Sequence, residues 1–285
     1  MKIAFLFLTI NDINFPEIWE NYFKDNNDKI SIYCHPKYPE NIKTPWLKKN
    51  IIKNLTETEW GHFTNAIINL LKAALNDKNN IKFMIVSESC LPIKSFKKFY
   101  NMLSNDHINT SYIDFIDVNK FNLEHFRKFN DKNNLIKNTD KIIKHSGWWC
   151  LSRHHVKKLL IKDISLYQNI IAGDEHILSL IYPSKNIKNF QITYANWTYI
   201  VEIIDDINNK LLNLYTLKEN KNTTKYDEKI FKLRKYKSTL GKHPKTYTQL
   251  STDDLNEIKK STAFFYRKFS PESNIINFYK ELLID

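Results

Sequence analysis

Glycine is nearly missing from this chain, with 4 in 285 residues, and cysteine and methionine occur only 3 times each. The cysteines, Cys34, Cys90 and Cys150, are far apart and form no CxxC or Cys/His spacing. That excludes a zinc module or a disulfide framework and makes a reducing compartment the expectation. No apolar run approaches the ~20 residues that a membrane span needs. The N-terminal "KIAFLFLTI" (2–10) is of strand length, and "NDINF" follows it with no small-x-small cleavage site. It therefore reads as a first buried strand and not as a signal peptide. With nothing else pointing to secretion, the sequons at Asn54, Asn109, Asn196 and Asn222 carry little weight.

Positive charge is in excess, with a formal net charge of +12 from 43 Lys and Arg against 31 Asp and Glu. These cations are scattered and interleaved with acids, whereas a nucleic-acid footprint clusters on one element. A nucleic-acid binder is therefore set aside, while a basic cleft for a small anionic substrate fits the same count. Heavy use of Lys, Asn and Ile beside so little glycine is attributed to an A+T-rich genome. The hydrophobic share of 42% and aromatic share of 14% are ample for a core.

Strand and helix patterns alternate through the first hundred residues. "KIAFLFLTI" is followed by the helical spacing of Ile18, Trp19, Tyr22 and Phe23, and "KISIYCH" (29–35) is a second strand. "GHFTNAIINLLKAALND" (61–77) is the clearest helix, followed by the strand "IKFMIVSES" (81–89) and the helix "SFKKFYNML". This order predicts an α/β fold with a mainly parallel central sheet covered by helices on both faces. Ligands then bind outside the carboxyl ends of the strands. Further on, 121–146 is polar and irregular, "GWWCLS" reads as a strand and "RHHVKKLLI" as a helix, and 202–240 reads as a long connection or surface insertion. A helix, an aromatic strand at 263–269 and a closing helix to Leu283 complete the chain. With no internal repeat or flexible linker, one domain over 1–285 is expected.

A composition that avoids glycine should retain it where the backbone needs positive φ or a close approach. Gly61, Gly147, Gly173 and Gly241 thus mark the stretches in which a site is sought. Gly173 opens "GDEHILSLI", whose acidic pair precedes an apolar helical pattern; Asp174 reads as its N-cap, with carboxylates favoured at the positive end of the helix dipole. Trp148 and Trp149, adjacent on a strand, should face opposite ways, one to the core and the other either to an apolar wall, so that both pack in the core, or to a sugar ring. Arg267 and Lys268 are likewise expected to face opposite ways, so that a single cation reaches any one cleft.

Taken together, "IAFLFLT", "SIYCH", "EWGHFTNAIINLLKAAL", "FMIVSESCLPIKSF", "HSGWWCLSRHHVKKLL", "GDEHILSLI", "ITYANWT", "GKHPKTY" and "FFYRKFSPES" resemble, in order, segments of the core-2/I-branching glycosyltransferases, family 14, with the plant-type members closest. The resemblance runs from about residue 2 to 275 and is weak at 101–144 and 200–240. It implies a GT-A type fold, with a nucleotide-binding half at about 1–100 and an acceptor and catalytic half at about 101–285. It implies transfer of N-acetylglucosamine, or xylose in related branches, from a UDP-sugar to a glycan or protein-linked hydroxyl, with inversion and without a divalent metal or other cofactor.

By the same resemblance Glu175 is the general base. Lys268 and Lys245 hold the leaving diphosphate, Lys245 standing where branching enzymes carry an arginine, and His243 assists. Trp60, Ser89 and His35 fall near the nucleotide; Trp148, Arg127, Lys128, Tyr194 and Trp197 fall on the acceptor side. Metal-using UDP-sugar enzymes usually present Asp-x-Asp after a buried strand, and here that strand ends Ser87-Glu88-Ser89-Cys90 with one carboxylate. Relatives carry a Golgi membrane anchor that this sequence does not show, and the expectation is either a soluble enzyme, cytoplasmic or associated with a virion or virus factory, or a chain from which an anchor has been trimmed. A catalytically silent sugar- or nucleotide-binding protein on the same fold is the alternative.

Overall fold

A computed structural model describes residues 1–117, 142–221, 226–239 and 243–283. The strands are β1 (Lys2–Thr9), β2 (Ile30–Pro36), β3 (Asn80–Ser87), β4 (Leu91–Pro92), β5 (Ser111–Ile113), β6 (Phe115–Asp117), β7 (Ile143–His145), β8 (Cys150–Ser152), β9 (Ile187–Asn189), β10 (Thr193–Ala195) and β11 (Phe265–Arg267). The α-helices are α1 (Pro16–Phe23), α2 (Pro45–Lys48), α3 (Thr64–Leu75), α4 (Phe96–Asn105), α5 (Arg153–Leu160), α6 (Ser165–Asn169), α7 (Thr198–Lys221), α8 (Asp227–Thr239), α9 (Thr252–Lys260) and α10 (Tyr279–Leu282).

The central sheet has the order β2-β1-β3-β8-β5-β9. β1 pairs in parallel with both β2 and β3, β8 is antiparallel to β3 and β5, and β9 is parallel to β5. The expected mainly parallel sheet is therefore present, with β8 as its reversed strand. "KIAFLFLT" reads as an unbroken apolar run because both faces of β1 are covered. Ile3, Phe5 and Phe7 join one core with Trp19, Tyr22 and Phe23 of α1 and Phe99 of α4. Ala4 and Leu6 join another with Ile67, Leu70 and Leu71 of α3 and Val156 and Leu159 of α5. On the first face Phe5 lies edge-on to Trp19 and Phe23, with ring centroids 6.0 and 4.9 Å apart. Such aromatic pairs each add about 0.5–1.5 kcal/mol beyond area burial.

A second sheet, β10-β11-β4, meets the first at its carboxyl end. Asn14, just beyond β1, receives the join: its amide donates to Glu88 O at 3.1 Å and its Nδ2 to Phe269 O at 2.7 Å. The Phe269 amide in turn donates to Ser89 O at 3.0 Å, and the Tyr247 amide to Lys268 O at 2.8 Å. Segments that follow β1, β3 and β11 are thereby pinned into one corner.

Four expectations need correction. The stretch after Gly173 is two short 3-10 pieces, Gly173–Glu175 and Ile177–Ile181, and not an α-helix. Ala172 precedes them at φ 56°, a left-handed conformation, and His176 at φ −130° separates them, so no continuous ladder forms. Asp174 makes no cap; it is buried. The aromatic strand is three residues long and ends at Arg267, so strand alternation does not govern Lys268. The polar connection from 202 is helical, α7 and α8 burying Ile207, Leu211 and Ile230 in a small cluster of their own. "GWWCLS" forms a strand only from Cys150, with both tryptophans before it.

Candidate functional site

Three glycines that the sequence retains meet at one place. Gly61 is the third residue of a turn closed by His62 N to Glu59 O at 2.9 Å, and its φ of 80° suits glycine there. Its carbonyl accepts from Ala172 N at 2.6 Å. Gly173 is needed for contact: a Cβ there would lie 1.9 Å from Tyr167 O and 3.1 Å from Thr64 Oγ1. A Cβ on Gly147 would lie 3.8 Å from Asp174 Oδ2. Gly241 lies outside the described residues. The three others thus frame the turn that carries Asp174 and Glu175.

Two histidines fix that turn to β7. His176 Nδ1 donates to Ile143 O at 3.0 Å, and Ser179 Oγ accepts from Ile143 N at 3.0 Å. His145 Nε2 accepts from Leu178 N at 3.3 Å while its Nδ1 donates to Ser146 O at 2.8 Å. Burial pushes His145 down to about 3, so it is neutral and holds this tautomer. With Ile143 and His145 turned inward, Lys144 emerges on the other side, and its Nζ lies 3.8 Å from Glu175 Oε2.

Glu175 is half-buried, and burial raises its carboxyl above the usual range while Lys144 and Arg267 pull it down. Asp174 is only 7% exposed; burial, with the neighbouring Glu175, raises it to about 7. Its Oδ1 has no hydrogen-bond partner among the described residues. The pair that opens the turn is therefore split into a more accessible carboxylate and a buried carboxyl that ionises only near neutrality.

Arg267 extends from the end of β11 and lies 4.2 Å above the centroid of the Trp148 ring. Its charge acts on Glu88, Glu175 and Cys90, and burial lowers its proton affinity. Lys268 follows, lowered by burial and by Arg267 and raised by Glu88. The charge of Glu88 acts on both cations. Glu88 and Ser89 follow β3, with Ser89 Oγ 3.2 Å from Ser87 Oγ.

The remaining expected residues divide. Lys245 is ion-paired with Asp254 and lies 5.2 Å over the Tyr247 ring, two residues from the Tyr247 amide that binds Lys268 O. His243 is exposed. His35 is fully buried, and its Nε2 accepts from Thr56 N at 3.0 Å, a loop anchor without an exposed face. Trp60 is 64% exposed at the tip of the Gly61 turn, where Gly61 itself lies against the exposed Ile171. Tyr194 stacks on Tyr266 at 4.6 Å, and Trp197 is exposed beyond β10. Arg127 and Lys128 lie outside the described residues. Sequence reasoning missed Lys144 and Arg267 as neighbours of Glu175. Alternation in "IKH" was the available signal for Lys144, and Arg267 stood inside a motif already noted.

A cavity of about 560 Å³ lies elsewhere, at the start of β2, lined by Lys24, Trp46 and Lys49. Among the described residues, no three His, Cys, Asp or Glu side chains are grouped as a metal ion requires, and no helix is long and apolar enough to cross a membrane.

Comparison with known proteins gives a match to the family model Core-2/I-Branching enzyme over residues 3–179. A rice protein (Oryza sativa subsp. japonica), Glycosyltransferase BC10, is 26% identical over 185 residues. That match covers 62% of this chain and 42% of the rice protein, so the chain spans about two fifths of that relative. Among solved structures, the galactosyltransferase LgtC with donor and acceptor sugar analogues aligns with 68% of this chain and 73% of its own, at 14% identity and a TM-score of 0.35. An active-site mutant of LgtC aligns over the same shares at a TM-score of 0.33.

Proposed function

The chain belongs to the core-2/I-branching enzyme family, and from that premise we propose that it is an inverting glycosyltransferase of GT-A type. It moves a sugar, N-acetylglucosamine or xylose, from a UDP-sugar to an acceptor hydroxyl without a divalent metal. The observation that carries this reading is Glu175: a half-buried carboxylate 3.8 Å from the Lys144 ammonium, with the charge of Arg267 also acting on it.

Inversion requires the acceptor oxygen to attack the anomeric carbon from the face opposite the diphosphate. As the new C–O bond forms, the bond to the diphosphate breaks and its electron pair leaves with UDP, through a transition state of oxocarbenium character. The acceptor proton passes to Glu175, which is fit to take it because burial has raised its proton affinity while two cations keep it ionisable. Lys268 stabilises the charge that builds on the leaving oxygen, a preorganised cation in a partly desolvated place. Trp197, exposed beyond β10, offers a flat face to a sugar ring.

A panel of UDP-sugars, read by UDP release and by thermal stabilisation with and without EDTA, tests the reading. One donor should be hydrolysed or transferred with rates unchanged by EDTA. Loss of turnover with EDTA removes the metal-independent part, and no turnover or stabilisation with any UDP-sugar removes the donor class.

A further inference from the structure

The outer edge of the central sheet is only half closed. β2 is the last strand on that side, and its residues Ile30, Ile32 and Cys34 align with Ile3, Phe5 and Phe7 of β1. The Ile3 amide donates to Lys29 O at 2.8 Å, so in this parallel ladder Ile30, Ile32 and Cys34 turn their amides and carbonyls away from β1. At Cys34 those groups are used: its amide donates to Asn50 O at 2.8 Å and its carbonyl accepts from Ile52 N at 2.9 Å. The chain before Asn50 is wound into α2, and the outward groups of Ile30 and Ile32 have no backbone partner among the described residues.

The cavity of about 560 Å³ lies where those rungs would continue, lined by Ile30, Ile32, Trp46 and Lys49 and by Glu20 and Lys24 of α1 and its end. No residue of the Glu175 turn lines it. Trp46 is held in place, with Nε1 donating to Glu20 Oε1 at 2.9 Å and its ring edge-on to Phe7 and Phe23 at 5.7 and 6.0 Å. The Nζ groups of Lys24 and Lys49 have no ion pair or hydrogen bond among the described residues, so two ammonium groups line the cavity with one carboxylate. Unpaired rungs suit an extended backbone, and the excess positive charge suits acidic side chains. A second copy of this chain, paired edge to edge, would bring the same lysines together.

We propose that this edge binds an acidic, extended peptide segment of a partner protein, which adds a strand to β2 beside Ile30 and Ile32 with its carboxylates toward Lys24 and Lys49. Main-chain bonds supply the affinity and the lysines select the charge. The bridge at Cys34 ends the added strand, because Asn50 and Ile52 already occupy the next rung. The inference is independent of the glycosyltransferase reading.

A fluorescein-labelled peptide of alternating glutamate and valine is titrated against the full chain by fluorescence anisotropy. Two controls accompany it, one with lysine for glutamate and one with alternate amides N-methylated. The acidic peptide should bind saturably below about 1 mM. Both controls should bind at least about 10-fold more weakly. Lys24→Glu and Lys49→Glu should each weaken the acidic peptide by about 3–10-fold. Ile32→Pro removes an outward amide, leaves the bonds to β1, and should weaken it by a similar factor of about 3–10-fold. Hydrogen exchange at the Ile30 and Ile32 amides should slow on binding. Thermal unfolding checks each variant, and if the proline variant fails to fold, the lysine variants and the exchange rates decide. No saturable binding, equal binding of either control peptide, or full affinity in both lysine variants overturns the proposal. Self-association of the unliganded chain that Ile32→Pro abolishes would assign the edge to a second copy and overturns it as well.

Discussion

Lys144 Nζ lies 3.8 Å from Glu175 Oε2, brought there by a strand whose two other residues are bound to the turn carrying the glutamate. The pair is about one-third exposed on each side, so it contributes little to stability. Its effect falls on the proton affinity of Glu175.

Replacing Glu175 with Gln removes the proposed proton acceptor and keeps the shape. Transfer should fall by about 10²–10⁴-fold while UDP affinity stays within about twofold. Steady-state rates and UDP titration measure the two. Full transfer activity would end the assignment of the base and favour a binding protein without catalysis.

The proposed base works only when deprotonated, and burial holds Glu175 above the ordinary carboxylate range. kcat/KM should therefore decline with falling pH through a limb displaced upward from that range. Lys144→Met removes a group that lowers this affinity, so the limb should move further up while stability changes by less than about 1 kcal/mol. A pH–rate profile beside urea unfolding checks both.

Asp174 gives a different dependence. Its folded value is raised to about 7 from an unfolded value of 3.8, so its contribution to stability is full below about pH 4 and is lost as pH rises through 7. At about 1.4 kcal/mol per unit, the change is up to about 4 kcal/mol. Asp174→Asn should flatten unfolding free energy between pH 4 and 8, and an unaltered slope would refute the buried-carboxyl account.

Gly173→Ala should cost at least about 1–3 kcal/mol, because its Cβ would enter the Tyr167 carbonyl and backbone must move. The displaced turn carries Glu175, so turnover should fall more than folding. Thermal unfolding and kcat, measured on the same sample, separate the two losses.

The sheet was legible because β1 and β3 are buried on both faces and so read as long apolar runs between amphipathic helices. Glycine scarcity was equally informative, since Gly61, Gly147 and Gly173 converge on one turn through contacts and conformation. The turn's form was not legible. Apolar spacing in "HILSLI" fits an α-helix or a 3-10 segment buried against β7, and the choice depends on Ile143, more than thirty residues away in sequence. Burial of Asp174 was hidden for the same reason: an acidic residue after glycine looks like a cap until packing around Gly147 and Phe63 is known. Lys268 was assigned by alternation, a rule that lapses where the strand stops at Arg267.

Asn14 bonds to Phe269, a residue 255 positions later. Synthesis runs from the amino end, and early segments can begin to pack as they emerge. The corner beside Glu88 has to wait for the final strand, so a nascent or prematurely terminated polypeptide holds Glu175, Lys144 and Glu88 but lacks Arg267 and Lys268. Such a fragment would be inert toward its substrates however well its first three strands had assembled.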